Sequence, residues 1–283
     1  MVRVAGVVLV RNEDVFVEQA VQNVASFCDR IHVVDHLSFD RTPEILRRLA
    51  REFDHVTVER SSDAGVSHRA IEGYAGTPTW VLGLDGDELY DQVALAQLRG
   101  ELDAGANMDV FRLKGHVLNC DKLDAGLASG YMAPPSRPAT KLFNMGAVEA
   151  WTGCLERLHD GNAVFRPGFD WDSLRYLSEG TDWDSDPLRM VHTCFLRRSS
   201  VDVGEHPSVR RGLPETGAWR RGPGGLIHRL RRRRHLDPRI KAYARAGSSW
   251  KQEWYARGPR VTVDARPFLE SSPQVRAGSV SAP

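Results

Sequence analysis

The sequence predicts an α/β protein built on an open, mostly parallel sheet with helices on both faces. Three observations carry that expectation. Four short runs, at residues 2–10, 30–35, 55–59 and 80–84, read as strands: the first is a β-branched run with few polar interruptions and the last is apolar throughout, as strands covered on both faces require. The stretches between them place apolar residues at spacings of three and four, the signature of helices with one buried face. Strand and helix patterns also alternate along the chain, which favours parallel strands joined by crossover helices.

Residues 2–10 form the first expected strand, followed at its C-terminal end by Asn12 and Glu13. An amphipathic helix then runs to about residue 27, with Val17, Ala20, Val21 and Val24 as its apolar stripe. RIHVVD (30–35) is a second buried strand that ends in an acid. Thr42 is expected as an N-cap with Pro43 at the first helical position, and Ile45, Leu46 and Leu49 turn toward the sheet. A short strand at 55–59, a helix at 67–75 and a strand at 80–84 complete the alternating part. Beyond Tyr90 the pattern loosens. A helix is expected from about 93 to 102 and a strand at 110–117, whereas the Gly and Pro of 119–139 suggest a loop or a mobile insertion. Compact structure resumes at 141–144, 150–158 and 190–196. The expected organisation is a domain over 1–198, divided near 92, then an arginine-rich, partly helical extension over 199–270 and a disordered tail over 271–283.

The stretch of greatest chemical interest is TWVLGLDGDELY (79–90), an apolar strand that runs into Asp85, Asp87 and Glu88. Ligands of open α/β sheets bind at the C-terminal ends of strands. Two carboxylates one residue apart on a turn at Gly86 can face a hard divalent cation, which prefers oxygen ligands; a solvated acidic turn is the plainer reading. Asp35, at the end of the second strand, either contacts a ligand or caps its loop. Asn12 and Glu13 either line a pocket or cap the following helix. Arg69 could pair with Asp35, reach an anionic ligand or lie on the surface. His192, in MVHTCF, is either a core histidine or a metal ligand.

The formal charge of +1 gives no general argument for nucleic acid, although arginine is dense in the last third. The cysteines Cys28, Cys120, Cys154 and Cys194 lack metal-binding spacing and suggest reduced thiols in a cytoplasmic protein. No apolar run reaches transmembrane length. The run Arg231 to Arg234, beside Arg229, reads as a solvated surface, as a contact for an anionic acceptor or the inner membrane leaflet, or least readily as a nucleic-acid patch.

Three segments in order resemble the family 2 glycosyltransferases, which have the GT-A fold: VVLVRNED (7–14), IHVVDHLSFDRTPEIL (31–46) and SHRAIEGYAGTPTWVLGLDGDE (67–88). The last is similar to the family's Asp-x-Asp metal motif in its Asp-x-Asp-Glu form. Lys141-Leu142-Phe143 and Trp151-Thr152-Gly153-Cys154-Leu155-Glu156 are similar to downstream elements, with Leu155 where the family commonly has histidine. The resemblance implies transfer of a sugar from a UDP-, dTDP- or GDP-sugar to a hydroxyl of a glycan, lipid or small molecule, with inversion and with Mn²⁺ or Mg²⁺ as cofactor. It further implies Asp87, Asp85 and His192 at the metal, and Val10, Arg11, Asn12, Glu13, Asp35, Arg69, Asp85 and Gly86 around the nucleotide sugar. Glu156 is implied as the general base, with Asp160 as the fallback. The alternatives are a nucleotide-sugar-binding module that has lost its chemistry, and a phosphatase of the haloacid dehalogenase type. The phosphatase is disfavoured because its motif belongs on the first strand. A homodimer is compatible with everything above.

Overall fold

The computed structural model describes residues 2–63, 65–136, 142–152, 162–201 and 254–270. Four parallel strands form its centre: β1 (Arg3–Val10), β2 (Arg30–Asp35), β3 (Val56–Arg60) and β4 (Thr79–Asp85), in the spatial order β3-β2-β1-β4. The chain therefore winds outward from β1 through β2 and β3, then returns to lay β4 on the other side of β1. In open α/β sheets the C-terminal ends of the strands at such a reversal, here β1 and β4, are where ligands bind. β1 is buried throughout after Arg3, which explains why its sequence shows no polar alternation.

Helices cover both faces, as expected. Side chains of α1 (Val17–Ala25), α2 (Thr42–Glu52) and α4 (Gln92–Asp103) join Val4, Val8, Val33, Trp80 and Leu82 in one core. On the opposite face Ile71 of α3 (Val66–Glu72) packs with Ala5, Val7 and Val81 and with an aromatic group. In that group Phe111 meets Phe165 and Trp171 edge-on, with ring centroids 4.9 and 5.4 Å apart, the arrangement that the ring quadrupoles favour. The large sheet is completed by three short strands, β9 (Leu142–Asn144), β6 (Arg112–Lys114) and β12 (Leu174–Tyr176), and the hairpin of β10 (Val148–Thr152) and β11 (Asn162–Phe165) is separate.

A second sheet has the order β14-β8-β7-β13-β5. Its members are β5 (Glu88–Tyr90), β7 (Val117–Asp124), β8 (Leu127–Ala133), β13 (Met190–His192) and β14 (Arg260–Asp264). Since β4 ends at Asp85 and β5 begins at Glu88, Gly86 and Asp87 are the joint between the two sheets.

Several expectations are corrected here. The loop expected over 119–139 is largely the hairpin β7–β8, whose turn places Ala125 and Gly126 at φ values of 48° and 79°. Two successive positive φ values suit the twist of a tight hairpin, but Ala is an unusual residue there, so the turn signal is weak. The single strand expected at 110–117 is divided between β6 and β7. Thr42 is the first residue of α2 rather than its cap. Its hydroxyl accepts the Glu13 amide, and its own amide is bound by Asp40. The end of the expected extension, 254–270, lies against the body of the protein through β14 and α5 (Arg266–Leu269), with Phe268 buried. Arg229 to Arg234, Glu156 and Asp160 lie outside the described residues. Among the described residues no helix is long and apolar enough to cross a membrane.

Candidate active site

Register brings the acidic residues together. Val10 pairs with Asp35 on one side of β1 and Leu9 pairs with Asp85 on the other, so the two aspartates flank the end of the central strand. The turn after Asp85 is narrow because Gly86 has no side chain: a Cβ there would lie 2.2 Å from Glu13 Oε2 and 3.0 Å from Val10 Cγ1. Glu88 holds the turn from the other side, its Oε2 accepting the Asp85 amide at 3.0 Å. Val10 is fully buried and supports the turn from below, and its carbonyl accepts the His36 amide at 2.8 Å.

The second sheet delivers the next group. β13 pairs with both β5 and β7, which sets His192 opposite Glu88 and Asn119. The amide and hydroxyl of Thr193 bind the Asp87 carbonyl at 2.8 and 3.1 Å, clamping the turn to this strand. His192 Nδ1 is 3.1 Å from Asn119 Oδ1, and its Nε2 faces Asp87 Oδ2 at 3.6 Å. Burial alone would lower the pKa of this imidazole. The neighbouring Cys194 sulfur and Asp87 carboxylate outweigh burial and hold the pKa well above the ordinary histidine value.

The residue that sequence reasoning missed is Arg198. From β13 the chain crosses the strand ends, where Val15 donates its amide to the Arg198 carbonyl at 3.1 Å. Ser199 Oγ binds Asp40 at 2.7 Å, and the Ser200 amide binds Asp14 at 2.7 Å. This strap buries the guanidinium so that Nη1 lies 2.5 Å from Asp87 Oδ2 and 3.0 Å from Glu13 Oε1. Burial works against its charge, and the Asp87 and Glu13 carboxylates more than compensate. Nothing local in sequence marks Arg198, which stands 111 positions from Asp87.

The loops after β1 and β2 are also tied to each other. The Asn12 amide donates to Ser38 Oγ, and its Oδ1 accepts the Phe39 amide, both at 2.9 Å. Asn12 has φ 53°, a conformation that asparagine tolerates better than most residues. Asp35 is buried, accepts the Ser38 amide at 2.9 Å and faces Arg60 at 3.4 Å. Arg60, not Arg69, is therefore the arginine at Asp35. Arg69 is held by Asp63 at 2.9 Å. Arg11, directly after β1, is partly exposed.

Among the described residues no three His, Cys, Asp or Glu side chains stand close enough to enclose a metal by themselves. Asp87 and His192 fit a partial set once the imidazole, held protonated beside Asp87, gives up its Nε2 proton to the incoming ion. A hard divalent cation commonly takes one or two carboxylates and completes its shell with substrate phosphate oxygens and water. His192 has the further feature of metal-binding imidazoles, a second ring nitrogen fixed by a polar partner. Asp85, on the same turn and partly exposed, can add a carboxylate.

No family model and no curated protein matches the chain. Among solved structures it is similar to glucosyl-3-phosphoglycerate synthase from Mycobacterium tuberculosis, in complex with Mn²⁺, UDP-glucose and phosphoglyceric acid, at a TM-score of 0.32 and 16% identity over 41% of this chain and 44% of that one. It is also similar to a mannosyltransferase from Pyrobaculum calidifontis, in complex with GDP-mannose and Mn²⁺, at 0.31 and 21% over 43% and 36%. Mannose-6-phosphate isomerase from Helicobacter pylori scores 0.33 at 11% identity, over 51% and 71%. The chain thus spans less than half the length of either transferase. Likenesses this weak, shared between transferases and an isomerase, carry no functional argument, and the reading of the site rests on its own residues.

Proposed function

We propose that this chain is a glycosyltransferase that moves a sugar from a nucleotide-diphosphate sugar to an acceptor hydroxyl. One observation carries the reading: Asp35, Asp85 and Asp87 converge at the reversal point of a parallel sheet, where the sequence resemblance also places its nucleotide-sugar residues. Asp85, partly exposed at the edge of β1, is suited to accept hydroxyl protons of a ribose. Asp35 orders the loop after β2, through which Asn12, Ser38 and Phe39 shape the neighbouring wall. Asp87 and His192 would hold a divalent cation together with the diphosphate. Bound there, Mn²⁺ or Mg²⁺ supplies Lewis-acid stabilisation of the leaving diphosphate. Glu156 is the proposed general base for the acceptor hydroxyl. Inversion at the anomeric carbon follows from the sequence resemblance.

Because the protein offers only a partial set of metal donors, metal and nucleotide are expected to bind together. Calorimetry with UDP, GDP and dTDP, each in Mn²⁺ and in EDTA, tests this. One nucleoside diphosphate should bind in Mn²⁺ and lose about tenfold or more of its affinity in EDTA, an ordinary coupling between two ligands. Asp87→Ala should remove the Mn²⁺ effect. If none of the three binds in either condition, the assignment fails. Glu156→Gln should lower the transfer rate with little change in nucleotide affinity, and a loss of nucleotide binding instead would make Glu156 structural.

A further inference from the structure

Asp87 Oδ2 serves two neighbours: His192 Nε2 faces it at 3.6 Å, and Arg198 Nη1 already occupies it at 2.5 Å. The same nitrogen also pairs with Glu13 Oε1 at 3.0 Å, so one guanidinium neutralises two buried carboxylates at the strand ends. A divalent cation bound at this oxygen would stand beside the Arg198 guanidinium, and the two like charges would repel each other. On this basis, and resting on the nucleotide-sugar reading above, we propose that Arg198 is a placeholder cation: it competes with a divalent metal for Asp87 and transfers its guanidinium to the donor diphosphate when the metal site fills.

Three features support the exchange. Buried carboxylates need a counter-charge whenever the ligand is absent, and Arg198 supplies it. A guanidinium has five donors in a planar fork and suits phosphate oxygens at least as well as carboxylates. The strap that carries Arg198 is anchored at its backbone and at its neighbours, by Val15, Asp40 and Asp14. The side chain can therefore swing between partners without the strap leaving the strand ends.

The two ligands should respond in opposite directions to loss of the guanidinium. Mn²⁺ binding without nucleotide is read from the electron paramagnetic resonance of unbound Mn²⁺, and nucleoside diphosphate binding from calorimetry in saturating Mn²⁺. Arg198→Gln is expected to bind Mn²⁺ about tenfold or more tightly than the unaltered protein, and the diphosphate about tenfold or more weakly. Arg198→Lys keeps the charge but loses the fork. It should stay folded by circular dichroism, bind Mn²⁺ at an affinity between the other two and still lose diphosphate affinity, which decides the matter if Arg198→Gln does not fold. Weakening of both ligands together would make Arg198 structural and overturn the proposal, as would unchanged Mn²⁺ affinity in a folded variant. If the unaltered protein binds no nucleotide, the glycosyltransferase reading and the diphosphate half of the exchange both fail, and the Mn²⁺ comparison alone still decides whether Arg198 competes with metal.

Discussion

A missing methyl group governs how closely the acidic residues gather. Gly86 lets Glu13 reach past the turn to Arg198, and a Cβ at that position would collide with Glu13 Oε2. Glu13 cannot move away cheaply, because its other oxygen is paired with Arg198 and its backbone amide is bound by Thr42. Gly86→Ala is therefore expected to cost about 1–3 kcal/mol, the usual range for overpacking a closed site. Urea unfolding measures it, and a loss well below that range would mean that Glu13 repositions without consequence. At this scale the sequence was informative about which acids matter and uninformative about what they touch. Asp85, Asp87 and Asp35 were legible because each stands at or just past the end of an apolar strand. Arg60, Ser38 and Arg198 were not, because their roles exist only once distant segments have been brought to the same edge.

Between elements, legibility follows burial on two faces. The strands β1, β2 and β4 could be read because a strand covered on both sides is continuously apolar. The second sheet could not, because β7 changes along its length from the buried Val117-Leu118-Asn119-Cys120 to an alternation of partly exposed and exposed residues. Its hairpin turn also lacks the usual Asn-Gly or Asp-Gly signal. This sheet nevertheless aims His192, through Asn119. Gly130 on β8 makes that possible: a Cβ there would lie 2.2 Å from the Asn119 carbonyl oxygen and 2.8 Å from Cys120 Cα. Both are backbone atoms, so relief requires the strands to separate where the β7–β8 register already shifts. Gly130→Ala is expected to cost upward of about 2 kcal/mol in urea unfolding and to move the His192 ring signals in an NMR spectrum. Unchanged His192 signals in a variant of normal stability would show that the hairpin does not position the histidine.

For the whole molecule, the decisive feature is how the chain returns to its own core. β14 adds an edge to the second sheet along the full length from Arg260 opposite Tyr131 to Asp264 opposite Leu127. α5 then sets Phe268 into the core beside Trp183, with ring centroids 5.6 Å apart. Asn23 of α1 is the tie: its amide nitrogen is 2.8 Å from the carbonyl oxygens of both Tyr90 and Phe268, and its Oδ1 accepts from Gln92. Tyr90 ends the short strand that begins just after Asp87, so the C-terminal segment braces the element on which the acidic turn rests. Phe268→Ala removes a fully buried ring and is expected to cost about 3–5 kcal/mol, a large share of the 5–15 kcal/mol or so that typically holds a domain together. A chain ended before residue 254 should fare worse, because it also strips the partner from β8 and leaves an unpaired sheet edge open to association. Urea unfolding measures the first effect, and size-exclusion chromatography of the shortened chain the second. Near-normal stability of Phe268→Ala together with a monomeric shortened chain would mean that the domain is complete without residues 254–270. The alternative, that this segment is an integral layer of the fold bracing the site from behind, requires both to fail.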